Sequence, residues 1–183
     1  MKQEVMEGNL RKVKSLLKKG ADVHVDHDWA LRHAAAHGHL KMVKLLLKHG
    51  ADVHAFGDSA LQQAAIGGYQ KIVKLLIEKG ADVHAQGDLA LCWAAFRGHL
   101  KVVKCLVEAG ADVRAWDNLP LRWAATVGYL DVVEYLLKKG ADIHAVGDWA
   151  LRYATANGHK AIVKLLLEYG ADVKTNPQEL ATS

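Results

Sequence analysis

Two kinds of apolar run alternate along the chain. One kind, exemplified by LKMVKLLLKH (40–49), spaces apolar residues three and four apart with lysines between them. That spacing predicts an amphipathic helix with one broad buried face. The other kind, exemplified by DNLPLRWAATVGYL (117–130), sets a leucine and a pair of alanines among residues of every chemical type. It too predicts a helix, with a face small enough for close helix–helix approach. An oxygen-bearing side chain precedes each run of the second kind: Asp28, Asp58, Asp88, Asn118 and Asp148. These are the expected N-caps, taking up N–H groups of the first turn. Gly38, Gly68, Gly98, Gly128 and Gly158 are the expected ends of the same helices. A short extended stretch such as VHAFG (53–57) is expected to lead from each lysine-rich helix to the next cap.

The alternation is strictly periodic. GADV or GADI begins at Gly20, Gly50, Gly80, Gly110, Gly140 and Gly170, thirty residues apart each time. A fixed period of this size predicts an all-α solenoid, in which each unit buries its apolar face only by stacking on its neighbours. The chain divides as a single repeat domain, 1–183, with full units at 28–57, 58–87, 88–117, 118–147 and 148–177. Residues 1–27 read as a partial N-terminal capping unit and 178–183 as a tail.

The recurring string AL..AA..GH...VVK.LL..GADVHA resembles the ankyrin repeat and covers essentially the whole chain. The resemblance implies helix pairs stacked into a curved array whose concave side binds other proteins. The usual unit has about 33 residues, with a β-hairpin finger before a Thr-Pro-Leu-His helix start. Here eleven steps separate Gly50 from Leu61, and the helix start reads SALQ (59–62) or WALR (149–152), with only Pro120 kept. The chain is therefore similar to the thirty-residue ankyrin form of giant viruses, and its fingers are expected to be shortened or absent.

Comparison among the units separates framework from variable positions. Counting the cap as position one, positions 3, 4, 7 and 8 share one arc at about 100° per residue. In the second unit they are Ala60, Leu61, Ala64 and Ala65, and the other units carry nearly the same set. Positions 2, 5, 6 and 9 lie opposite and vary. They supply Trp29, Arg32 and His33; Ser59, Gln62 and Gln63; Trp93 and Phe96; Arg122 and Trp123; and Trp149, Arg152 and Tyr153. Arg97 follows this arc, and Phe56 and Trp116 sit in the linkers. Trp, Tyr and Arg dominate interface hot spots, so these thirteen large or basic residues, the second unit's polar ones aside, are the candidate partner-binding set. The competing reading is inter-repeat packing, with position 6 against the adjacent helix and position 5 against the linker.

Composition narrows the function classes. The longest apolar stretches are too short to span a bilayer, and the N-terminus lacks the apolar core of a signal peptide. Cys92 and Cys105 read as free thiols, and a cytoplasmic, soluble protein is expected. The net charge of +4 keeps nucleic acid as an alternative, with Arg32, Arg97, Arg122 and Arg152 on phosphates and the aromatics stacking on bases. Lys41, Lys44 and Lys48, with Arg11, Lys14 and Lys18, read as a solvated stripe.

His24, His54, His84 and His144 recur with the period and are expected to bond loop backbone, while His39, His99 and His159 bridge the inter-helix turn. His33 and His37 are four apart, but no Glu follows His33, so the metalloprotease pattern fails. No nucleophile or phosphate-loop motif occurs. The expectation is a non-catalytic protein-binding scaffold without cofactor or metal. A monomer is expected, with weak end-to-end association of a self-assembling array as the third reading.

Overall fold

The structure, a computed structural model, describes residues 1–172; residues 173–177 of the last expected unit and the expected tail, 178–183, lie outside them. Every element among the described residues is helical. The chain begins with α1 (Lys2–Met6) and α2 (Leu10–Lys18). Five longer pairs follow: α3 (Val25–Ala36) with α4 (Leu40–Lys48), α5 (Ala55–Ile66) with α6 (Gln70–Glu78), and α7 (Ala85–Phe96) with α8 (Leu100–Glu108). The last two are α9 (Ala115–Val127) with α10 (Leu130–Lys138) and α11 (Ala145–Ala156) with α12 (Lys160–Glu168).

Stacking produces two rows. The odd-numbered helices pack on one another in order, α3 on α5, α5 on α7, α7 on α9 and α9 on α11, and the even-numbered helices form the second row. The odd row is close because its contact face is alanine: Ala34, Ala35, Ala64, Ala65, Ala94, Ala95, Ala124 and Ala125 are all fully enclosed. Leu31, Leu61, Leu91 and Leu121 fill the space between the rows, against Leu46, Leu76, Leu106 and Leu136. The framework arc is therefore core through the stack, except in the last unit, where position 8 is the exposed Thr155.

The inter-helix glycines serve the stacking as well as the turn. Gly38 has φ 71°, and a Cβ there would lie 2.5 Å from the ring of Tyr69 in the next repeat. A side chain at this position would be strained and would also displace the tyrosine.

The linkers differ from the expected extended stretch. In each of the five longer odd-numbered helices three consecutive residues near the start have left-handed dihedrals: Asp26–Asp28, Phe56–Asp58, Gln86–Asp88, Trp116–Asn118 and Val146–Asp148. The regular right-handed helix starts only after them. This single left-handed turn occupies the place of a hairpin finger. It reverses the chain in few residues, at about 1–2 kcal/mol for each side-chain-bearing residue held there. Glycine relieves one position in three of the turns, at Gly57, Gly87 and Gly147. The turns therefore persist only because other contacts hold them.

Candidate interaction face

The first of those contacts comes from the residues expected as N-caps. Asp28, Asp58, Asp88, Asn118 and Asp148 are 2–6% exposed and lie inside the left-handed turn. Among the first four, the side-chain oxygen takes no N–H of its own helix. Asp28 Oδ1 accepts the backbone N–H of Asp52 at 3.0 Å, in the loop that leaves the same unit after α4. Asp58 does the same for Asp82 and Asp88 for Asp112, both at 2.9 Å, and Asn118 for Asp142 at 2.7 Å. The cap expectation is corrected: a left-handed φ turns the carboxylate away from its own first turn and toward the following loop. The side chain is a staple from the start of a unit to the loop by which that unit leads into the next.

The periodic histidines complete this arrangement, and here too the expectation is corrected. The ring Nδ1 of His24, His54, His84 and His144 faces the carboxylate four residues on, at 2.8–3.2 Å, rather than loop backbone. The left-handed turn brings that carboxylate back over the ring. One junction between units departs at both positions together. Arg114 replaces the histidine where Asn118 replaces the aspartate, and its Nε donates to Gly140 O at 2.9 Å. His99 and His159 reach further than the inter-helix turn: their Nε2 atoms lie 3.0 Å from Ile66 O and Thr126 O in the preceding repeat.

Position 5 secures the turn from the other side. Arg32 donates to His27 O and Asp26 O at 3.1 and 2.8 Å. Gln62 donates to Gly57 O at 2.9 Å, and Arg122 to Trp116 O at 2.9 Å. Carbonyls that a left-handed turn leaves without helical partners are thus satisfied by a long side chain with N–H groups. Arg32 and Arg122 are half-buried, and these N–H groups face their own turns rather than solvent. Cys92 is the exception at this position, and it is fully buried. Burial, with Asp88 nearby, pushes its thiol up to about 12.

The aromatic candidates fall into separate groups. Trp93, Phe96 and Trp123 form one cluster across two repeats, with centroids 5.7 Å apart for Trp93–Phe96, 5.4 Å for Trp93–Trp123 and 5.1 Å for Phe96–Trp123. Arg97 lies over Phe96 at 5.8 Å. Trp149 stacks on Tyr153 at 4.1 Å, and Arg122 lies over Trp149 at 5.2 Å, linking that pair to the preceding repeat. At the other end Trp29 stacks on His33 at 4.5 Å and His33 on His37 at 4.0 Å. Burial together with His37 and His39 lowers the His33 pKa from its usual value. The second unit places Ser59, Gln62 and Gln63 between these groups, so the aromatics do not form one continuous ladder.

Two linker residues project furthest. Phe56 is 66% exposed under the Arg32 guanidinium, 4.9 Å from its ring centroid, and Trp116 is 58% exposed. The Trp116 indole donates to Gly87 O of the preceding turn at 2.7 Å. Trp93, Phe96, Trp123, Trp149, Arg152 and Tyr153 are half-buried, each presenting an edge to solvent while packing on its own or an adjoining repeat. Two donors in this region, Arg122 Nε and Trp149 Nε1, are enclosed and have no acceptor among the described residues.

Comparison with known families agrees with this architecture. A family model described as ankyrin repeats in three copies matches residues 2–87 and 83–146. A single ankyrin repeat matches residues 146–176. No curated protein matches the chain.

Proposed function

Because the chain belongs to the ankyrin-repeat family, whose members generally serve as protein–protein interaction modules, we propose that it is a non-catalytic scaffold gripping one protein partner on the odd-helix face. The observation that carries this reading is the cluster of Trp93, Phe96 and Trp123 beside Trp149 and Tyr153, on positions where the repeats disagree. Half-buried aromatics braced by neighbouring repeats are pre-organised. They offer large contact area with little rotamer entropy left to lose on binding. Arg122 Nε and Trp149 Nε1 add two N–H donors without acceptors at the same place, which a carbonyl or carboxylate of a partner could relieve after a small side-chain shift. The inward commitment of Arg32 and Arg122 favours aromatic anchoring over phosphate contacts, and so favours protein over nucleic acid.

The test is affinity capture from the native host with the wild-type chain and with a Phe96→Leu/Trp123→Leu variant, followed by a direct affinity measurement on the captured protein. The variant keeps both positions apolar with less volume, so its helical spectrum persists with a modestly lowered melting temperature, while binding weakens about thirtyfold or more, as expected for hot-spot loss. A partner held equally well by both overturns this face as the site.

A further inference from the structure

The even-numbered row carries a different signal, independent of the odd-helix face. Its charge is graded along the array. Residues 10–19 hold Arg11, Lys12, Lys14, Lys18 and Lys19 with no acid, and residues 40–49 hold Lys41, Lys44 and Lys48, again with none. Acids enter only later, as Glu78, Glu108, Asp131, Glu134 and Glu168. Some lysines of the later helices have partners: Lys138 pairs with Glu134, Lys164 lies 3.8 Å from Glu168, and Lys104 sits over Tyr135 at 5.5 Å, while at the early end Lys12 pairs with Glu4 at 3.2 Å. Lys14, Lys18, Lys41, Lys44 and Lys48 pair with no carboxylate among the described residues. The early helices of this row thus carry lysines with no acid among them, while carboxylates are interspersed in the later ones, so the positive charge is concentrated at one end.

These lysines also surround a depression. Between α2 and α4 lies an open trough of about 510 Å³, walled by Lys14 and Lys18 on one side and Lys41, Lys44 and Lys48 on the other. Leu10 and Leu45 form its half-buried apolar floor. A second trough of about 340 Å³ lies between α4 and α6 over Leu47 and Leu75, and shares Lys44 and Lys48 with the first. Lys41 to Lys48 spans seven residues of helix, about 10 Å, which corresponds to two turns of a ligand helix.

We propose that this pair of troughs is a second docking site, for an acidic amphipathic peptide segment of a protein partner. Leucine-like side chains would seat on Leu10 and Leu45 while carboxylates meet the flanking ammonium groups. The floor argues for a peptide with apolar residues over a simple polyanion. No Trp, Tyr or Phe lines either trough, and a single ring, His49, at the edge of the first offers no platform for successive bases. A concave trough between two helices suits a rod-like segment better than the flat surface of a bilayer.

The probe is a fluorescein-labelled peptide of about 14 residues, repeating Glu-Leu-Leu-Glu, read by fluorescence anisotropy against the full chain. The comparison probes are the same peptide with every Leu replaced by Ser, phosphatidylserine vesicles and a DNA duplex. The expected result is saturable binding of the leucine peptide, at least tenfold tighter than the serine peptide. Raising salt from about 50 to 300 mM should weaken it severalfold, as for partly exposed charges. Lys44→Glu/Lys48→Glu should reduce affinity at least tenfold with an unchanged helical spectrum, and Lys101→Glu should leave it within twofold. No saturable binding, equal binding of the serine peptide, tighter association with vesicles or DNA, or an undiminished Lys44→Glu/Lys48→Glu variant would each overturn the proposal. The outcome is independent of the odd-helix face, since Phe96→Leu/Trp123→Leu should bind this probe as the wild type does.

Discussion

Replacing Asp88 dissects the staple between a unit's first turn and its exit loop. Its Oδ1 accepts the Asp112 N–H at 2.9 Å and faces His84 Nδ1 at 3.1 Å, in a site 6% exposed and with φ 62°. Asp88→Ala removes a charged acceptor, for which hydrogen bonds contribute about 1.5–3 kcal/mol. It also leaves a methyl-bearing residue in the left-handed region without the local bonding that lets Asp tolerate it. The expected loss is about 2–4 kcal/mol. Asp88→Asn keeps the acceptor and the left-handed tolerance and loses only the charge, so about 0.5–1 kcal/mol is expected. The molecule already contains that solution, since Asn118 holds the Asp142 N–H at 2.7 Å. Asp88→Gly relieves the backbone but restores no bond, and should fall between the two. Urea unfolding followed by circular dichroism, with midpoint and slope compared, measures all three, because a mid-array lesion can split the transition and would then change the slope. Equal losses for Ala and Asn would refute the reasoning, since the side-chain acceptor would then contribute nothing.

Three further outcomes are expected. Val146, a β-branched residue at φ 53° and largely exposed, should be better served by asparagine, and Val146→Asn should raise unfolding stability by about 1 kcal/mol in the same urea assay. Cys92, with its thiol pushed up to about 12 and fully buried, should resist a thiol reagent such as DTNB at pH 8 in the native protein and react promptly in guanidinium; rapid native labelling at Cys92 would contradict the buried assignment. His33 is held below its usual pKa, so the stabilising effect of the neutral ring is full above the unfolded value near 6.5 and is lost as pH falls through the lowered folded value. Between pH 7.5 and 5 the melting temperature of the wild type should therefore fall further than that of His33→Gln.

What could be read from the sequence was whatever repeats with the helix period. The alanine pairs, the interior leucines and the helix-ending glycines announce themselves because packing permits little else at those positions. The left-handed turn did not, because Phe56, Gln86, Trp116 and Val146 are residue types that ordinarily avoid positive φ. Only the glycines beside three of them hinted at it. The staple escaped because its bond joins residues 24 apart, beyond any local motif. One signal was present: the joint change from His84 and Asp88 to Arg114 and Asn118 at one junction between units. Position 5 offered another, since Arg32, Gln62, Arg122 and Arg152 are chemically diverse but all carry long N–H donors. Variation among units was taken as freedom to meet a partner. At position 5, for Arg32, Gln62 and Arg122, it is instead several ways of meeting one internal demand.

The bonds between repeats also have a direction. Trp116 donates back to Gly87 and Asn157 to Thr126, each time from the later unit to the earlier. The rings of His99 and His159 likewise reach back to preceding carbonyls, with Arg114 to Gly140 O as a bond in the opposite sense. The units at 88–117 and 148–177 thus present side-chain donors toward the unit before them. The 24-residue staple instead closes within a unit, so a duplicated unit carries its own, whereas inserting or deleting one residue between its ends shifts that reach off its target. Such a chain can lengthen by whole units and resists lengthening by anything less.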